Sequence, residues 1–414
     1  EVNMARMTTQ LYSHVPGGDS GHEKLGRSLE WILDRYAPSF RYNPRMVSSL
    51  ANQLGRERAL IECFHSVGWS MTLQDAKWMI DRLAAMGINF FNFHAFFYTL
   101  DGMTKHDAPP SQFLQNPYWR HFRALGDYVR RISYAMSCGV PERSVAVLDP
   151  VTTIWTHMGN PFHDFHYGGA DDAEREKLER LKRQWFDICK ELALKQRDFD
   201  HLDPELLAEA EIVDGMLRIG NAAYAALVLP PMTSLELRAW RKVRAFLEGG
   251  GIVIAACELP SETIEEGAGT DVVREMRETL VPVAIESIVP LLDERLPERI
   301  RLRTEARRSF LMHRRRLADG STLVFVSNQE GGTHEAVLEL DESLAGSGVA
   351  AEVLDPENGT SVPAAADGGV IPLRFAPYTS VLLHLRPSGG SAGTGHSAEA
   401  GAAYVHGTRE APQV

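Results

Sequence analysis

In the first third of the chain, short apolar runs end in ionisable groups, and helical spacing separates them. Arg58–Cys63 is one such run: Glu62 stands between Ile61 and Cys63, and His65, Gly68 and Trp69 follow at once. Ile88–Phe93 is a second, apolar almost throughout as in a strand buried on both faces, and it leads into His94 and the aromatic run Phe96-Phe97-Tyr98. Between them Leu73, Ala76, Ile80 and Leu83 recur at helical spacing. Thr72 with Asp75 three positions on predicts a capping box, and Gly87 a helix stop. Upstream, Val2–Tyr12 reads as a strand, Pro16-Gly17-Gly18-Asp19 as the loop after it, and Leu25–Leu33 and Arg45–Leu54 as helices. A helix from Trp119 to Ser137 completes three β/α units. Polar groups at successive strand ends suit the catalytic face of a (β/α)8 barrel. A closed barrel has eight units, so residues 1–143 read as its C-terminal part, with roughly five units upstream of Glu1.

The pattern continues differently beyond residue 143. Ser144–Leu148, Ala225–Leu229 and Gly251–Ala256 are buried-type strands, alternating with helices over Asp172–Lys195 and from Thr233 to Glu248. This predicts a doubly wound parallel α/β domain over 144–297. Gly249-Gly250-Gly251 precedes a strand and therefore stops a helix, whereas a phosphate cradle follows a strand and opens one. From 298 to 386 short β-rich runs separated by turn residues predict a small antiparallel β-sandwich: Phe310–Arg316, Thr322–Asn328, His334–Leu340, Ala350–Leu354, Gly369–Phe375 and Ser380–Leu385. The Gly/Ser/Ala-rich stretch 387–414 reads as a disordered tail.

Composition narrows the partners. With 414 residues, 44% hydrophobic and 24% charged, the chain has the make-up of a soluble multidomain protein. A net charge of −12 argues against nucleic acid, and no apolar run is long enough to span a membrane. Cys63, Cys138, Cys189 and Cys257 lie far apart in apolar contexts, which reads as buried free thiols and leans towards a reducing, cytoplasmic compartment. The first residue is Glu, so the natural start and any address are expected upstream.

Glu62 leads the candidates for chemistry. A carboxylate inside an apolar strand is either neutralised by a structural partner such as an arginine or used as a catalytic acid or base, because burying it alone is unfavourable. His94 reads as a satisfied core histidine or as a ligand for a hydroxyl. His14, Asp19 and His22 crowd the first loop, where they suit substrate or a metal, though their spacing fits no specific metal signature. His65 reads as site rim or loop packing; Trp69 as a platform for a sugar ring or loop packing. Tyr98 and Asp107 lie on the loop around Pro109-Pro110 that is long enough to fold over a barrel mouth. Aromatics beside carboxylates and histidines suit a carbohydrate, which offers hydroxyls and apolar C–H faces. Glycoside cleavage takes two carboxyl groups; Asp19, Glu23 and Asp107 are weaker candidates than Glu62, and the second carboxylate is expected upstream. Trp119, Trp185 and Trp240 read as core. His157, His163 and His166 with Asp164 form a second polar cluster, read as a surface loop, and no Gly-x-Ser-x-Gly elbow occurs.

On these residues the chain resembles glycoside hydrolase family 106, the α-L-rhamnosidase family. The resemblance runs through Ser48-Ser49-Leu50-Ala51, Gly55-Arg56, Glu62-Cys63-Phe64, Gly68-Trp69, Gly87-Ile88-Asn89, His94-Ala95-Phe96, Asp107-Ala108-Pro109-Pro110-Ser111, Gln115-Asn116-Pro117 and Trp119, with Phe325-Val326-Ser327-Asn328 in the last domain. It implies a truncated (β/α)8 catalytic barrel, an amidotransferase-like α/β domain and a β-domain. It further implies inverting cleavage of a terminal deoxysugar such as rhamnose, with bound calcium, Glu62 as the motif glutamate and His94 as the strand-end histidine. Two rival readings stand beside it: a β-galactosidase-like hydrolase, and a non-catalytic carbohydrate-binding or assembly protein whose later domains mediate homo-oligomers.

Overall fold

The computed structural model describes residues 6–36, 43–158, 171–346 and 348–387. His163, Asp164, His166 and the segment 388–414 lie outside them. The chain divides into two compact units. Glu1–Pro16, Leu33–Glu57 and Arg143–Pro297 form the first; Gly17–Ile32, Arg58–Glu142 and Glu298–Val414 form the second. Among the described residues no helix is long and apolar enough to cross a membrane.

In the second unit, β1 (Gly17–Asp19), β2 (Leu60–Cys63) and β3 (Phe90–Phe93) form a parallel sheet in that order. Helix α1 (Leu73–Ala85) follows β2 and α2 (Phe122–Ala135) follows β3. The capping box of α1 is present: Asp75 N donates to Thr72 Oγ1 at 3.1 Å and Thr72 N to Asp75 Oδ2 at 2.8 Å. The first strand is not where apolar alternation puts it. Arg6–Gln10 is helical, and Gly17–Asp19, expected as a loop, pairs with β2. Such a strand has no apolar pattern of its own and is defined by its parallel pairing with β2. The expectation that β3 is buried on both faces is also overturned. Phe90 is 43% exposed and Asn92 is exposed, whereas Phe93 packs against Phe64 and Phe122.

The same unit carries two antiparallel sheets. Ile300–Arg303, His334–Leu340 and Val370–Phe375 make one. Thr360–Ala364, Val349–Asp355, Ser380–Pro387, Thr322–Asn328 and Phe310–Arg316 make the other, with Val140–Pro141 at its edge. Inward side chains of both, among them Phe310, Val324, Leu338, Phe375 and Leu383, share one core, as expected of a sandwich. Helix α1 reaches this sandwich: Trp78 Nε1 donates to Gln329 O at 3.0 Å and Ser380 Oγ to Asp81 Oδ2 at 2.8 Å.

The first unit contains four parallel strands, β4 (Val145–Leu148), β5 (Phe199–Leu202), β6 (Ala226–Leu229) and β7 (Ile252–Ala255), in the spatial order β7-β6-β4-β5. Alternate strand residues feed opposite cores. Val145, Val147 and Val228 meet Trp185, Ile188 and Leu192 of the Asp172–Leu194 helix; Ala146, Leu148 and Leu227 meet Trp240, Val243 and Phe246 of the Leu237–Glu248 helix. Helices on both faces make the sheet doubly wound, as the alternation predicts. Ser234–Leu235, expected to open a helix, instead forms a two-residue strand beside Glu262–Thr263, and the helix starts at Leu237. The expectation of four buried thiols holds for Cys63 and Cys189 only. Cys138 is half-buried and Cys257 is exposed, because the latter follows its strand in a left-handed turn at φ +54°.

A buried polar network joins the Pro44–Gln53 helix to β5. Arg45 pairs with Asp198, and Arg143 pairs with both Asp198 and Asp200. Asn52 Nδ2 and Tyr224 OH each donate to Asp200 Oδ2 at 2.8 Å, and Gln53 Nε2 donates to His201 O at 2.7 Å. Burial, then Arg45 and Arg143, press the His201 imidazole down to about 3 from its usual 6.5. The unfolded chain therefore binds a proton that the folded one refuses between those values. The contribution to stability is fully present above pH 6.5 and is lost as pH falls towards 3, at about 1.4 kcal/mol per pH unit. Urea unfolding at pH 7 and pH 4.5 should show wild type losing roughly 2–3 kcal/mol more than His201→Gln; equal losses would mean that His201 is not buried in the neutral form.

Candidate active site at the strand ends of the parallel sheet

Parallel register sets the site. Asp19 lies opposite Glu62, and Glu62 opposite Asn92, so one polar residue from each of β1, β2 and β3 stands in a single row. Two residues earlier the row is Gly17, Leu60 and Phe90, on the same face because strand side chains alternate. The opposite face carries Ile61 and Cys63 towards the helices: the cleft where Gly21 would place a Cβ is bounded by Cys63 Cβ, Leu83 Cδ1 and Met79 Cβ. Glu62 consequently points away from α1. Among the described residues no arginine or lysine forms an ion pair with it. Glu62 and Asp19 act instead on Cys63, whose thiol is pushed well above its usual pKa by burial first and by these two carboxylates next.

Histidines form a second row just beyond the first. His22 follows Asp19 by three residues, His65 follows Glu62 by three, and His94 follows Asn92 by two. His22 Nε2 lies 2.7 Å from Asp19 Oδ1. The His22 and His65 rings are 5.5 Å apart, and those of His65 and His94 are 4.8 Å apart, edge to face. Positive φ angles at Phe64 (78°) and Ser66 (58°) turn the chain sharply around His65. His94 N bonds to Cys63 O at 2.9 Å, which carries the pairing one residue past β3, and the His94–Ala95 peptide is cis. Three imidazoles and the Asp19–Glu62–Asn92 row thus present donors and acceptors at one end of one sheet, an arrangement suited to a polyhydroxylated ligand.

The remaining candidates divide. Trp69, 38% exposed, donates from Nε1 to Lys105 O at 2.9 Å, which ties its loop to the one after β3. Tyr98 is 95% exposed, and Asp107 is exposed with no side-chain hydrogen bond among the described residues. His14 belongs to the first unit, exposed in the bend after Arg6–Gln10. His157, also in the first unit, bonds Glu174 through Nδ1 at 2.5 Å and Thr233 through Nε2 at 2.7 Å. Glu23 is committed elsewhere, to the buried Arg82. The motif residues Ser111, Gln115 and Asn116 build the loop. Ser111 Oγ accepts from Phe97 N at 3.2 Å, Gln115 Nε2 donates to Phe97 O at 3.0 Å, and Asn116 Nδ2 donates to Ser111 O at 2.9 Å. Trp119, expected in the core, is half-buried in an aromatic cluster with Phe96, Phe113 and Phe122, because its short helical turn precedes α2 at the loop end. Among the described residues no group of three or more His, Cys, Asp and Glu side chains could hold a metal ion. Asn92 and Phe90 escaped sequence reading. The signal was there, since Phe-Phe-Asn-Phe places one polar residue in an apolar strand just as Leu-Ile-Glu-Cys does.

No family model and no curated protein sequence matches the chain. Solved structures do. The rhamnosidase of Novosphingobium sp. PP1Y superposes with a TM-score of 0.63 at 15% identity, over 95% of this chain and 37% of that one. Gan42B, a GH42 β-galactosidase from G. stearothermophilus, superposes with a TM-score of 0.57 at 11% identity, over 87% of this chain and 57% of its own; a catalytic mutant of it gives 0.58 at 12%, over 87% and 58%. This is a fold that glycoside hydrolases use. The chain spans between about a third and three fifths of the length of these neighbours.

Because the Arg82 side chain has no exposed surface, removing its counter-ion should be severe. Glu23→Gln is expected to lower the unfolding free energy of the second unit by about 3–5 kcal/mol, read as a fall in the urea midpoint. A wild-type midpoint would show that Glu23 is not the required counter-ion.

Proposed function

We propose that this chain belongs to a glycoside hydrolase that cleaves a terminal deoxysugar such as α-L-rhamnose, by inverting acid/base hydrolysis with Glu62 as one carboxylate. In this reading β1–β3 and their helices are part of a (β/α)8 catalytic barrel, 144–297 is an amidotransferase-like domain and 298–386 is a β-sandwich. The observation that carries it is the Asp19–Glu62–Asn92 row, with Glu62 free of any described ion pair and the three histidines beyond it.

Glu62 would donate its proton to the leaving glycosidic oxygen, or take one from the attacking water, and a second carboxyl would do the converse. In an inverting site the two stand about 6.5–9.5 Å apart to admit that water. Asp19 sits on the neighbouring strand, about 4.8 Å away across a sheet, and is engaged by His22. Asp19 is therefore assigned to orienting His22 and binding a sugar hydroxyl, with the partner carboxyl farther across the site. The row of Leu60 and Phe90 below the carboxylates offers an apolar floor, which suits the methyl group of a deoxysugar better than a hydroxymethyl. The likeness in fold to a GH42 β-galactosidase supports galactoside cleavage as the second reading.

In the complete gene product, aryl α-L-rhamnoside should be hydrolysed, and Glu62→Gln should lower kcat by about 10²–10⁴-fold while the protein stays folded. Unchanged turnover in the variant would remove Glu62 from the chemistry. Turnover of aryl β-galactoside alone would select the second reading, and binding of sugar with no hydrolysis of either would favour a non-catalytic role.

A further inference from the structure

The first unit buries a carboxyl that the fold leaves without a partner. Asp149, directly after β4, is 1% exposed, and neither of its oxygens has a hydrogen bond among the described residues. Such a group is unfavourable in a protein interior unless something else satisfies it. Its position has meaning. The chain runs from β4 outward to β5 and then returns to the other side of β4 for β6, so the sheet order reverses between β4 and β6. Doubly wound sheets take ligands in the crevice at the carboxyl ends of the two strands flanking such a reversal.

The crevice is built. Thr153 Oγ1 accepts from Thr233 N at 3.1 Å and Ser234 N at 3.0 Å, and donates to Ser234 O at 2.9 Å, which stitches the segment after β4 to the segment after β6. Ser234 Oγ donates to Glu262 Oε1 at 2.7 Å. Thr152 holds one oxygen of Glu236, and the other, Oε2, is buried without a described partner. Neither Asp149, Glu236 nor Glu262 is ion-paired with an arginine or lysine among the described residues. Burial first, then Asp203 and Glu236, push the Asp149 carboxyl well above the usual carboxylate range, the response expected where several acids lack a cation.

We propose that this crevice binds the primary ammonium group of a small amine, such as an amino sugar or amino alcohol. Asp149 Oδ1 and Oδ2 and Glu236 Oε2 are three buried acceptors without a described hydrogen bond, and an ammonium carries three N–H donors. A metal is disfavoured by the donor set, because no described group of three His, Cys, Asp or Glu side chains could hold one. A bound ammonium would supply the counter-charge that the buried Asp149 carboxyl lacks among the described residues.

The test uses the whole chain and two probes, ethanolamine and glucosamine, each against its neutral counterpart, ethylene glycol and glucose. A concentration-dependent rise in Tm with at least one amine and with neither neutral compound is expected, and Asp149→Asn should weaken it at least tenfold. Glu236→Gln gives the same reading should Asp149→Asn fail to fold. The proposal is overturned if neither amine raises Tm, as a proton shared among the acids would give. It is likewise overturned if the neutral compounds act equally, if the variants respond like wild type, or if calcium chloride alone raises Tm and abolishes the amine response.

Discussion

An arginine with no exposed surface cannot remain without a counter-charge, and Arg82 on α1 is such a residue. Glu23 provides that charge from the turn after β1, and the guanidinium lies 4.6 Å over the Trp78 ring. The next residue back, Asp81, is equally buried and looks elsewhere. It is held by Lys77 at 3.0 Å, by the Tyr128 hydroxyl of α2 and by Ser380 of the sandwich. Two opposite charges side by side on one helix thus fix the exit of β1, the second helix and the sandwich to a common element. Burial near Asp81 also keeps the Tyr128 phenol protonated, so that it stays a donor.

The chemistry of the strand ends follows from that anchoring. Glu23 stands next to His22, so the ion pair that neutralises α1 also sets the histidine that meets Asp19. With the turn after β1 held, the register Asp19–Glu62–Asn92 places three polar side chains on the face turned from α1. Glu62 can stay unpaired there because that face is not packed: Phe90 and Asn92 of the neighbouring strand are exposed. The same strands spend their other face on packing, through Ile61, Cys63 and Phe93. One alternation therefore separates what holds the sheet from what can act on a ligand.

Much of this was legible in the chain. The capping box at Thr72, the α1 stripe, the doubly wound pattern of 144–297 and the sandwich strands all rest on local periodicity, which a sequence states directly. Gly17–Asp19 was not legible, because a three-residue strand with two glycines is defined by its neighbour β2 and not by its own side chains. Glu62 and His94 could be singled out since a polar group in an apolar run is conspicuous. Their company could not: Asn92 becomes a neighbour of Glu62 only through register, and Glu23 separates from Asp19 only once Arg82 claims it. Ser111, Gln115 and Asn116, which carry part of the family resemblance, are loop scaffolding, a role that shows only in hydrogen bonds to Phe97 and Ser111 backbone atoms.

The central claim is that the row of Asp19, Glu62 and Asn92 is where a sugar sits. A crystal structure of the complete gene product with L-rhamnose bound tests it most directly. The account predicts sugar oxygens within hydrogen-bonding distance of Glu62 and of Asn92, with the C6 methyl over Phe90 and Leu60. A sugar bound elsewhere, with Glu62 facing only water, would contradict it.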